Sequence, residues 1–376
     1  MNKSSKNEEL YPCGLQDKQW SWLKPDFSGK VLFLVFTSIL LALMGSSARG
    51  ELFLFAVMLW KNWDDFYFFY PRENNDSLAK VGDSFQSEKN SVNVSEASKI
   101  LSQNSNNFLN KVLEDYCLQD VYIQVPMALL TSYLVFFVVG GYLQWYYYIK
   151  KRDKPEEWKC QPQRFLTREN ERHEIYLGAV CLLVNGTFSG ILSTYVKNGG
   201  TWSKVYFDVN KYGFPYFIVS TIVYFLLQDA ASYYYHRMLH WPFFYRNFHK
   251  WHHRYHSPTA FSAVALHPVE SVVFQFLLLL PIFFVPLHFV SVAGCFYYLY
   301  YYGLIDHSGI DMDSIWPWQP PVRFHDDHHK YFHCNFGFNT LLFDRFHGTL
   351  RRTDRKYGEG IFGGKGSPAG KKAKKA

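Results

Sequence analysis

The chain has 376 residues, of which 20% are aromatic and only 19% are charged. Its formal net charge of +7 is concentrated at the C-terminus and in short runs beside apolar segments. No nucleic-acid-binding motif accompanies this charge, so a nucleic-acid partner is not expected. The six cysteines form no Cys-x-x-Cys pair, which excludes a thiolate zinc site of the usual spacing and gives no sign of a disulfide framework.

The first third of the chain predicts one membrane crossing followed by a polar loop. Residues 1–30 are polar and lack the short basic stretch and apolar core of a secretory signal peptide, so we expect a cytosolic tail there. Residues 31–125 then supply a retained signal-anchor helix within 31–60 and a lumenal loop. The loop segment 74–110 is rich in Ser, Asn and Lys, as flexible segments are. It carries sequons at Asn75 and Asn93, although sequons also arise by chance.

The later apolar segments predict an all-α integral membrane protein with about four transmembrane helices and a helical hairpin. A bilayer core of roughly 30 Å needs about 20 apolar helical residues. Residues 126–149, 174–196 and 214–235 each reach that length. As one helix, residues 271–305 would extend over about 50 Å. Because they also contain Pro281 and Pro286, a re-entering pair of helices is expected.

The orientation of these segments follows from their flanking charges. The basic residues 150–152 and the basic tail of residues 353–376 belong in the cytosol by the positive-inside rule. One crossing in 31–60, three later spans and a returning hairpin then bring His236 and His325 out on the same cytosolic face. A single dimetal centre requires all three clusters on one face of the membrane. A single crossing at 271–305 would have placed His325 on the opposite face from His236.

The most informative feature is a set of three tight histidine clusters in the second half of the chain. Imidazole is the commonest metal ligand among side chains and suits iron, zinc, copper and nickel. Residues at i, i+3 and i+4 share one face of a helix, so each cluster can aim its rings at one point. Together they exceed the four ligands of one tetrahedral ion and are enough for two metal ions. The clusters are His236 and His240; His249, His252 and His253; and His325, His328 and His329.

Three further residues are candidates for the same site. His267 and His307 fall close to the membrane on the predicted active face and are expected to complete the ligand shell. Asp229 lies seven residues before His236, which places both within about 20° on one helix face. A carboxylate there would orient a ligating ring and raise its basicity. One His-x-x-x-His pair at a membrane surface is more often interfacial than metal-bound, but the repeated His-x-x-His-His pattern favours joint metal binding.

Other metal chemistries fit the sequence poorly. It contains no His-Glu-x-x-His motif of a zinc protease, and no Glu-x-x-His motif of the carboxylate-rich di-iron bundles. A histidine-rich site without bridging carboxylates, in a lipid-facing fold, suits non-haem iron that activates dioxygen. Such a centre can oxidise an unactivated C–H bond, which gives an alcohol or an alkene. Zinc could replace iron in a purified sample without being the working metal.

The motif order resembles the fatty acid hydroxylase and sterol desaturase superfamily. The resemblance covers about residues 214–352, where we expect the catalytic domain, with residues 126–213 supplying preceding spans. It includes Asp229, the three histidine motifs, and the closing segments 335–337 and 343–349. Segments 258–262 and 266–270 are similar to sterol C5-desaturases, whereas segment 307–311 is more similar to C4-methylsterol oxidases.

The resemblance implies an enzyme of the endoplasmic reticulum membrane with a cytosolic histidine-rich helical cap. It would hold two iron ions, use dioxygen, and receive electrons from NAD(P)H through a reductase and cytochrome b5. The His-Pro-Gly-Gly motif of a fused cytochrome b5 domain is absent from the sequence, so the donor would be a separate protein. Basic residues around the second cluster could attract an acidic carrier or contact lipid headgroups: Arg246, Lys250 and Arg254. The lysines of residues 371–375 resemble a dilysine retrieval signal, although a solvated basic tail has the same composition.

Three alternatives remain open at this point. The same catalyst could act on a fatty acyl chain or a ceramide instead of a sterol. A metal-binding membrane transporter would place its ligands near the bilayer midplane within spans, whereas these clusters lie just outside the predicted spans. A catalytically inactive scaffold would not need the intact clusters.

Overall fold

A computed structural model describes residues 108–314 and 316–369. From Asp120 onward the described residues form one compact unit, and residues 108–119 belong to another. The predicted crossing within 31–60, the sequons at Asn75 and Asn93, and the lysines of residues 371–375 lie outside the described residues.

Three helices of the described part are long and apolar enough to cross a membrane: α1 (Val121–Lys150), α2 (Arg168–Lys197) and α3 (Phe214–Leu239). They correspond to the predicted spans at 126–149, 174–196 and 214–235. Helix α1 contains π-helical stretches at Phe136–Gly140 and Gln144–Lys150. Helix α2 begins where the Thr167 side chain accepts a hydrogen bond from the backbone N–H of Asn170. The total of four spans predicted for the whole chain is not tested by these residues.

Helices α1 and α2 pack closely because glycines on α2 leave room for α1. A Cβ added at Gly190 would lie 2.6 Å from the Cα atom of Val125, and one at Gly186 would lie 2.7 Å from the Leu129 side chain. Small residues that let helix backbones approach are typical of membrane helix contacts. This pair therefore forms a tight unit beside α3.

The segment after α3 contains two apolar helices separated by a break, as its prolines predict. Helix α4 (Pro242–Asn247) is short, and helix α5 spans Pro268–Leu279 and continues as a 3₁₀ turn at Leu280–Phe283. Helix α6 spans Phe289–Asp306. Strand β2 (Leu287–His288) lies between α5 and α6 and pairs in parallel with β1 (Val205–Tyr206). Both α5 and α6 pack against α3.

The apolar helices meet the histidine motifs at one common end. The Tyr148 hydroxyl at the end of α1 donates to the Ser308 carbonyl just after α6, at 2.7 Å. Near the start of α2, the Asn170 side chain accepts from Arg254 at 2.7 Å. At the opposite end, the Tyr216 hydroxyl near the start of α3 donates to the Pro286 carbonyl beside β2. The α5–α6 pair therefore leaves the histidine end and returns to it.

Short elements build a cap over that end. The cap contains 3₁₀ turns at His249–Arg254 and Ala260–Val264, helix α7 (Val322–Tyr331) and helix α8 (Leu342–His347). Strands β3 (Arg355–Lys356) and β4 (Ser367–Pro368) form an antiparallel pair near the end of the described residues. Two other 3₁₀ turns, Pro155–Glu157 and Val209–Lys211, lie in the connections between the long helices.

Candidate metal centre

Each histidine cluster is presented by a different element. His236 lies in the last turn of α3, and His240 caps its C-terminal end. The second cluster lies on a 3₁₀ turn, and the third lies on α7. Members three or four residues apart lie about one turn from each other, whereas the adjacent members of the second and third clusters point in different directions and enter different groups. The three elements converge, and all the rings of the clusters are at most 3% exposed.

The convergence produces two separate groups of histidines. Within each group, one ring nitrogen per residue lies within 4.8 Å of the corresponding nitrogen of every other member. The first group has five members: His236, His240, His249, His253 and His328. The second group has four members: His252, His307, His325 and His329. The second cluster and the third cluster each contribute to both groups, so the groups are neighbours.

Contacts between ring nitrogens match the spacing of ligands around one ion. Nitrogens bound at about 2.1 Å to one metal lie roughly 3.0–3.4 Å apart when they subtend 90–109°. In the first group, Nε2 of His253 lies 3.0 Å from Nε2 of His328 and 3.3 Å from Nε2 of His240. In the second group, Nε2 of His307 lies 2.9 Å from Nε2 of His325 and 3.2 Å from Nε2 of His252.

Several buried ring nitrogens lack a hydrogen-bond partner. In His236 and His249, the other nitrogen of the same ring is hydrogen-bonded to an oxygen atom. Nδ1 of His236 lies 2.8 Å from the Phe336 carbonyl oxygen, whereas its Nε2 has no partner. Nδ1 of His249 lies 2.7 Å from Oε1 of Glu270, and its Nε2 also has no partner. A carbonyl or carboxylate only accepts, so Nδ1 carries the hydrogen and Nε2 offers a lone pair. Both rings are thus in the tautomer that a metal ligand needs.

The second group shows the same features. His307 Nδ1 donates to Oδ1 of Asp306 at 2.5 Å, which leaves Nε2 facing the other members. The His329 ring is fully buried, and neither of its nitrogens has a partner. A buried polar atom without a partner is costly, and a bound metal would remove that cost. These donor sets, all imidazole, fit a transition metal such as iron or zinc.

Burial keeps six of the nine histidines neutral. It lowers the pKa values of six of the rings well below the usual 6.5, and the neighbouring histidines lower them further. The six are His240, His252, His253, His325, His328 and His329. Their lone pairs are therefore free of protons at neutral pH and available to a metal ion.

Comparison with known proteins gives partial matches over this part of the chain. Residues 221–349 match the family model described as fatty acid hydroxylase. The Delta(7)-sterol 5(6)-desaturase of Candida albicans is 35% identical over 160 residues, which cover 41% of this chain and 40% of that protein. The enzyme of the same name from Candida glabrata is 31% identical over 155 residues, covering 41% of this chain and 42% of that protein.

Residues 221–349 therefore resemble a fatty acid hydroxylase domain, and sterol desaturases are among the proteins to which this part of the chain is similar. The human fatty acid hydroxylase domain-containing protein 2 is also similar, with 32% identity over 140 residues that cover 36% of this chain and 40% of that protein. The chain thus spans about two fifths of the length of the curated relatives it matches. No solved structure gives a significant match. All nine histidines of the two groups lie inside the segment that matches the fatty acid hydroxylase family model.

His267 was expected among the ligands, but the structure does not bring it to either group. It caps the start of α5, where its Nδ1 accepts a hydrogen bond from the backbone N–H of Val269 at 3.2 Å. Its ring packs edge-on against Phe248 and Trp251. The Leu-His-Pro sequence therefore marks a helix start at the edge of the cap. His307, the other lone candidate, does join the second group.

Asp229 does not contact His236, which corrects the expectation that it orients this ring. It instead accepts hydrogen bonds from the backbone N–H groups of Asn339 and Thr340 and from the Thr340 hydroxyl. The two residues share a helix face, but seven residues correspond to a rise of about 10 Å along the axis. That separation is too large for a carboxylate to reach the ring. Asp229 therefore anchors the loop that follows the Phe336 carbonyl.

The residues that do hold the rings were missed at the sequence level. Glu270 contacts Nδ1 of His249, and Asp306 contacts Nδ1 of His307. The carbonyl oxygen of Phe336 contacts Nδ1 of His236, and that of Cys334 contacts Nδ1 of His328. A signal was available for the two acids, because a carboxylate within an apolar helix is costly unless it has a function. The two carbonyls lie on a loop whose path the residue pattern does not predict.

A cavity of about 550 Å³ opens beside the first group. It reaches His253 from the outer surface of the cap, and its lining includes both basic and acidic side chains. Its lining consists of Asn170, His173, Tyr245, Lys250, Trp251, His253, Arg254, His256 and Glu359. Two of its cations are paired, since Lys250 contacts Glu359 at 2.7 Å and Arg254 contacts Glu169 at 2.9 Å.

Proposed function

We propose that this protein is a membrane-bound oxidoreductase of sterol biosynthesis that desaturates or hydroxylates a sterol with a histidine-bound di-iron centre. The carrying observation is the pair of neighbouring all-histidine groups at the end of a bundle of apolar helices. The sterol desaturases among its relatives support the substrate class. The five-histidine group would hold one iron and the four-histidine group the other.

The two histidine groups suit a metal ion that reacts while it is buried in the protein. Iron held there would supply activation of dioxygen and oxidation of an unactivated C–H bond. Glu270 and Asp306 hold the Nδ1 hydrogens of His249 and His307 and so direct the two Nε2 atoms inward. The burial of the rings excludes bulk water, which protects a reactive centre from side reactions.

The position of the centre suits a substrate that arrives from the bilayer. The helices α1, α2 and α3 expose many large apolar side chains along their lengths, as lipid-facing helices do. On this proposal a lipid would approach the His236 end of α3 along these helices. A transporter would need ligands in the middle of the spans. Here the second and third clusters lie on cap elements outside them.

The electrons are proposed to come from NAD(P)H through a reductase and a separate cytochrome b5. The support is the exposed Arg246 at the outer surface of the cap, which suits an acidic carrier; Lys250 and Arg254 are exposed beside it and pair with Glu359 and Glu169. Lys250 and Arg254 also line the cavity that reaches His253. On this proposal the cap faces the cytosol and the protein resides in the endoplasmic reticulum membrane.

The decisive test is lipid profiling by mass spectrometry after deletion of the gene. A saturated sterol precursor should accumulate in cells that lack the gene. Expression of the wild-type chain or of the His267→Ala variant should remove this accumulation, and expression of His252→Ala should not. His267 is a matched control because it lies beside the second cluster yet in neither group. Unchanged sterols with lost hydroxy-acyl lipids would transfer the assignment to a fatty acid or ceramide hydroxylase. No lipid change at all would contradict an enzymatic function.

A further inference from the structure

The chain beyond the segment that matches the fatty acid hydroxylase family model folds back onto the first histidine group. We name residues 355–369 the C-terminal strap; they include the β3–β4 pair. The strap is fixed to the cap by the ion pair of Glu359 with Lys250 and by packing of Phe362 on the His333 ring, with the ring centroids 4.2 Å apart. The family model ends at residue 349, so the strap is outside the matched segment.

Gly364 shows how closely the strap approaches. A Cβ at this position would lie 2.6 Å from the Thr349 side chain and 3.0 Å from the Phe336 ring, and its φ is +85°. Only glycine adopts that conformation easily and leaves the space that this contact requires. The Phe336 carbonyl holds His236, so the strap packs directly on the residue that orients a ring of the first group.

His333 connects the strap to another ring of that group. It is fully buried but belongs to neither histidine group. Its Nε2 lies 2.8 Å from the backbone carbonyl oxygen of Glu359, and its Nδ1 lies 2.9 Å from Nδ1 of His240. Both of its nitrogens are therefore engaged, one by the strap and one by a member of the group.

The hydrogen bonds fix which nitrogens carry hydrogen. The Glu359 carbonyl only accepts, so Nε2 of His333 donates to it. In the neutral ring Nδ1 is then an acceptor, and the hydrogen between the two Nδ1 atoms belongs to His240. This arrangement leaves Nε2 of His240 with a free lone pair, beside Nε2 of His253 at 3.3 Å. The other arrangement, with hydrogen on Nε2 of His240, would block that nitrogen for a metal.

We propose that His333 is a positioning residue of the metal centre, which fixes the tautomer and direction of His240 and is itself held by the C-terminal strap. The proposal rests on the metal-binding function proposed above. It assigns to His333 the part that Glu270 has for His249 and that Asp306 has for His307. The strap is then a component of the metal centre and the first group depends on it.

The test is metal retention by the purified full-length protein in detergent, loaded with ferrous iron and dialysed against increasing chelator. Wild type should retain two ions per chain. His333→Leu removes the acceptor, so one of the two ions should be lost at a chelator concentration about 10–100-fold lower. His333→Asn places a carbonyl oxygen near the former Nδ1 position, so it should retain both ions as wild type does. Glu359→Gln loses the exposed ion pair but keeps the backbone carbonyl, and it should also behave as wild type.

Iron X-ray absorption adds a readout that general weakening of the fold would not mimic. His333→Leu should have fewer imidazole ligands per chain, and His333→Asn should match wild type. Equal chelator resistance of His333→Leu and wild type, or loss of both ions together, would overturn the proposal. If His333→Leu does not fold, early metal loss from a folded His333→Asn would overturn it equally. If wild type binds no metal, the proposed metal-binding function is overturned together with the role of His333. If wild type binds two ions, the variants test the role of His333 alone.

Discussion

His249 and Glu270 form a buried contact of 2.7 Å between Nδ1 and Oε1, and each side chain is at most 3% exposed. The contact joins the 3₁₀ turn of the cap to the first turn of α5. The Tyr235 hydroxyl donates to the Glu270 backbone carbonyl and so ties the same turn to α3. One carboxylate therefore links the cap, the α5–α6 pair and the helix that carries His236.

Replacing Glu270 should weaken metal binding by the five-histidine group. Glu270→Leu removes the acceptor of His249 and should lower metal affinity about 10–100-fold. Glu270→Gln keeps an oxygen acceptor, so its metal affinity should fall by less than that of Glu270→Leu. Titration with a competing metal chelator measures both effects. An affinity unchanged in Glu270→Leu would show that the contact does not orient the ring.

His307 and His267 should behave differently although both lie between the second and third clusters in the chain. His307→Ala removes a member of the second group and should reduce the metal content from two ions per chain to one. His267→Ala removes only a helix cap and should leave the metal content unchanged, while the free energy of unfolding falls by about 1 kcal/mol. Metal analysis and denaturant unfolding of the two variants are the measurements. Metal loss in His267→Ala would contradict the assignment of the groups.

Gly190 should be essential for the packing of α1 on α2. Gly190→Ala places a methyl group 2.6 Å from the Val125 backbone, and such overpacking costs about 1–3 kcal/mol. Gly294→Ala on α6 is the matched control because nothing lies within 4 Å of its added methyl group. There the better helix propensity of alanine should be neutral or stabilising by up to about 1 kcal/mol. Thermal unfolding in detergent compares them, and equal midpoints would refute the close contact.

Lys159 should make the stability depend on alkaline pH. Burial lowers its pKa from 10.5 to about 8, while its Nζ donates to the Ser257 hydroxyl at 2.8 Å. Between these two pKa values the unfolded chain binds the proton and the folded protein does not, so stability should rise with pH. The gain over a Lys159→Met reference should approach 1.4 kcal/mol per pH unit. Unfolding of both proteins at pH 7.5 and 9.5 tests this, and a difference that is constant or shrinks with pH would contradict it.

The convergence of the three clusters could be predicted from the sequence because two local rules are enough. The i, i+3 and i+4 spacing keeps the members of each cluster within about one turn of one another. The returning pair of helices expected within 271–305 brings the third cluster back to the end of α3 that carries His236. The same rules failed for Asp229, because angular agreement on a helix says nothing about the axial rise between two residues. They also failed for His267, whose position before a proline makes it a helix cap.

The residues that hold the rings could not be predicted because long-range contacts decide them. His333 is separated by 93 residues from His240 along the chain, and Phe336 by 100 from His236. Tail residues 353–376 were expected to be a basic extension, yet Glu359 and Phe362 lie against the cap. Charge patterning predicts solvent exposure for such a segment, and it cannot show that a carbonyl and an aromatic ring find partners.

The central claim, two metal sites in two histidine groups, is tested most directly by counting iron per chain in three proteins. These are wild type, the pair His236→Ala with His249→Ala, and the pair His325→Ala with His329→Ala. Each pair removes two members of one group only. Two ions are expected in wild type and one in each paired variant. One ion in wild type, or complete loss of iron in both paired variants, would show that all the histidines form a single shared site.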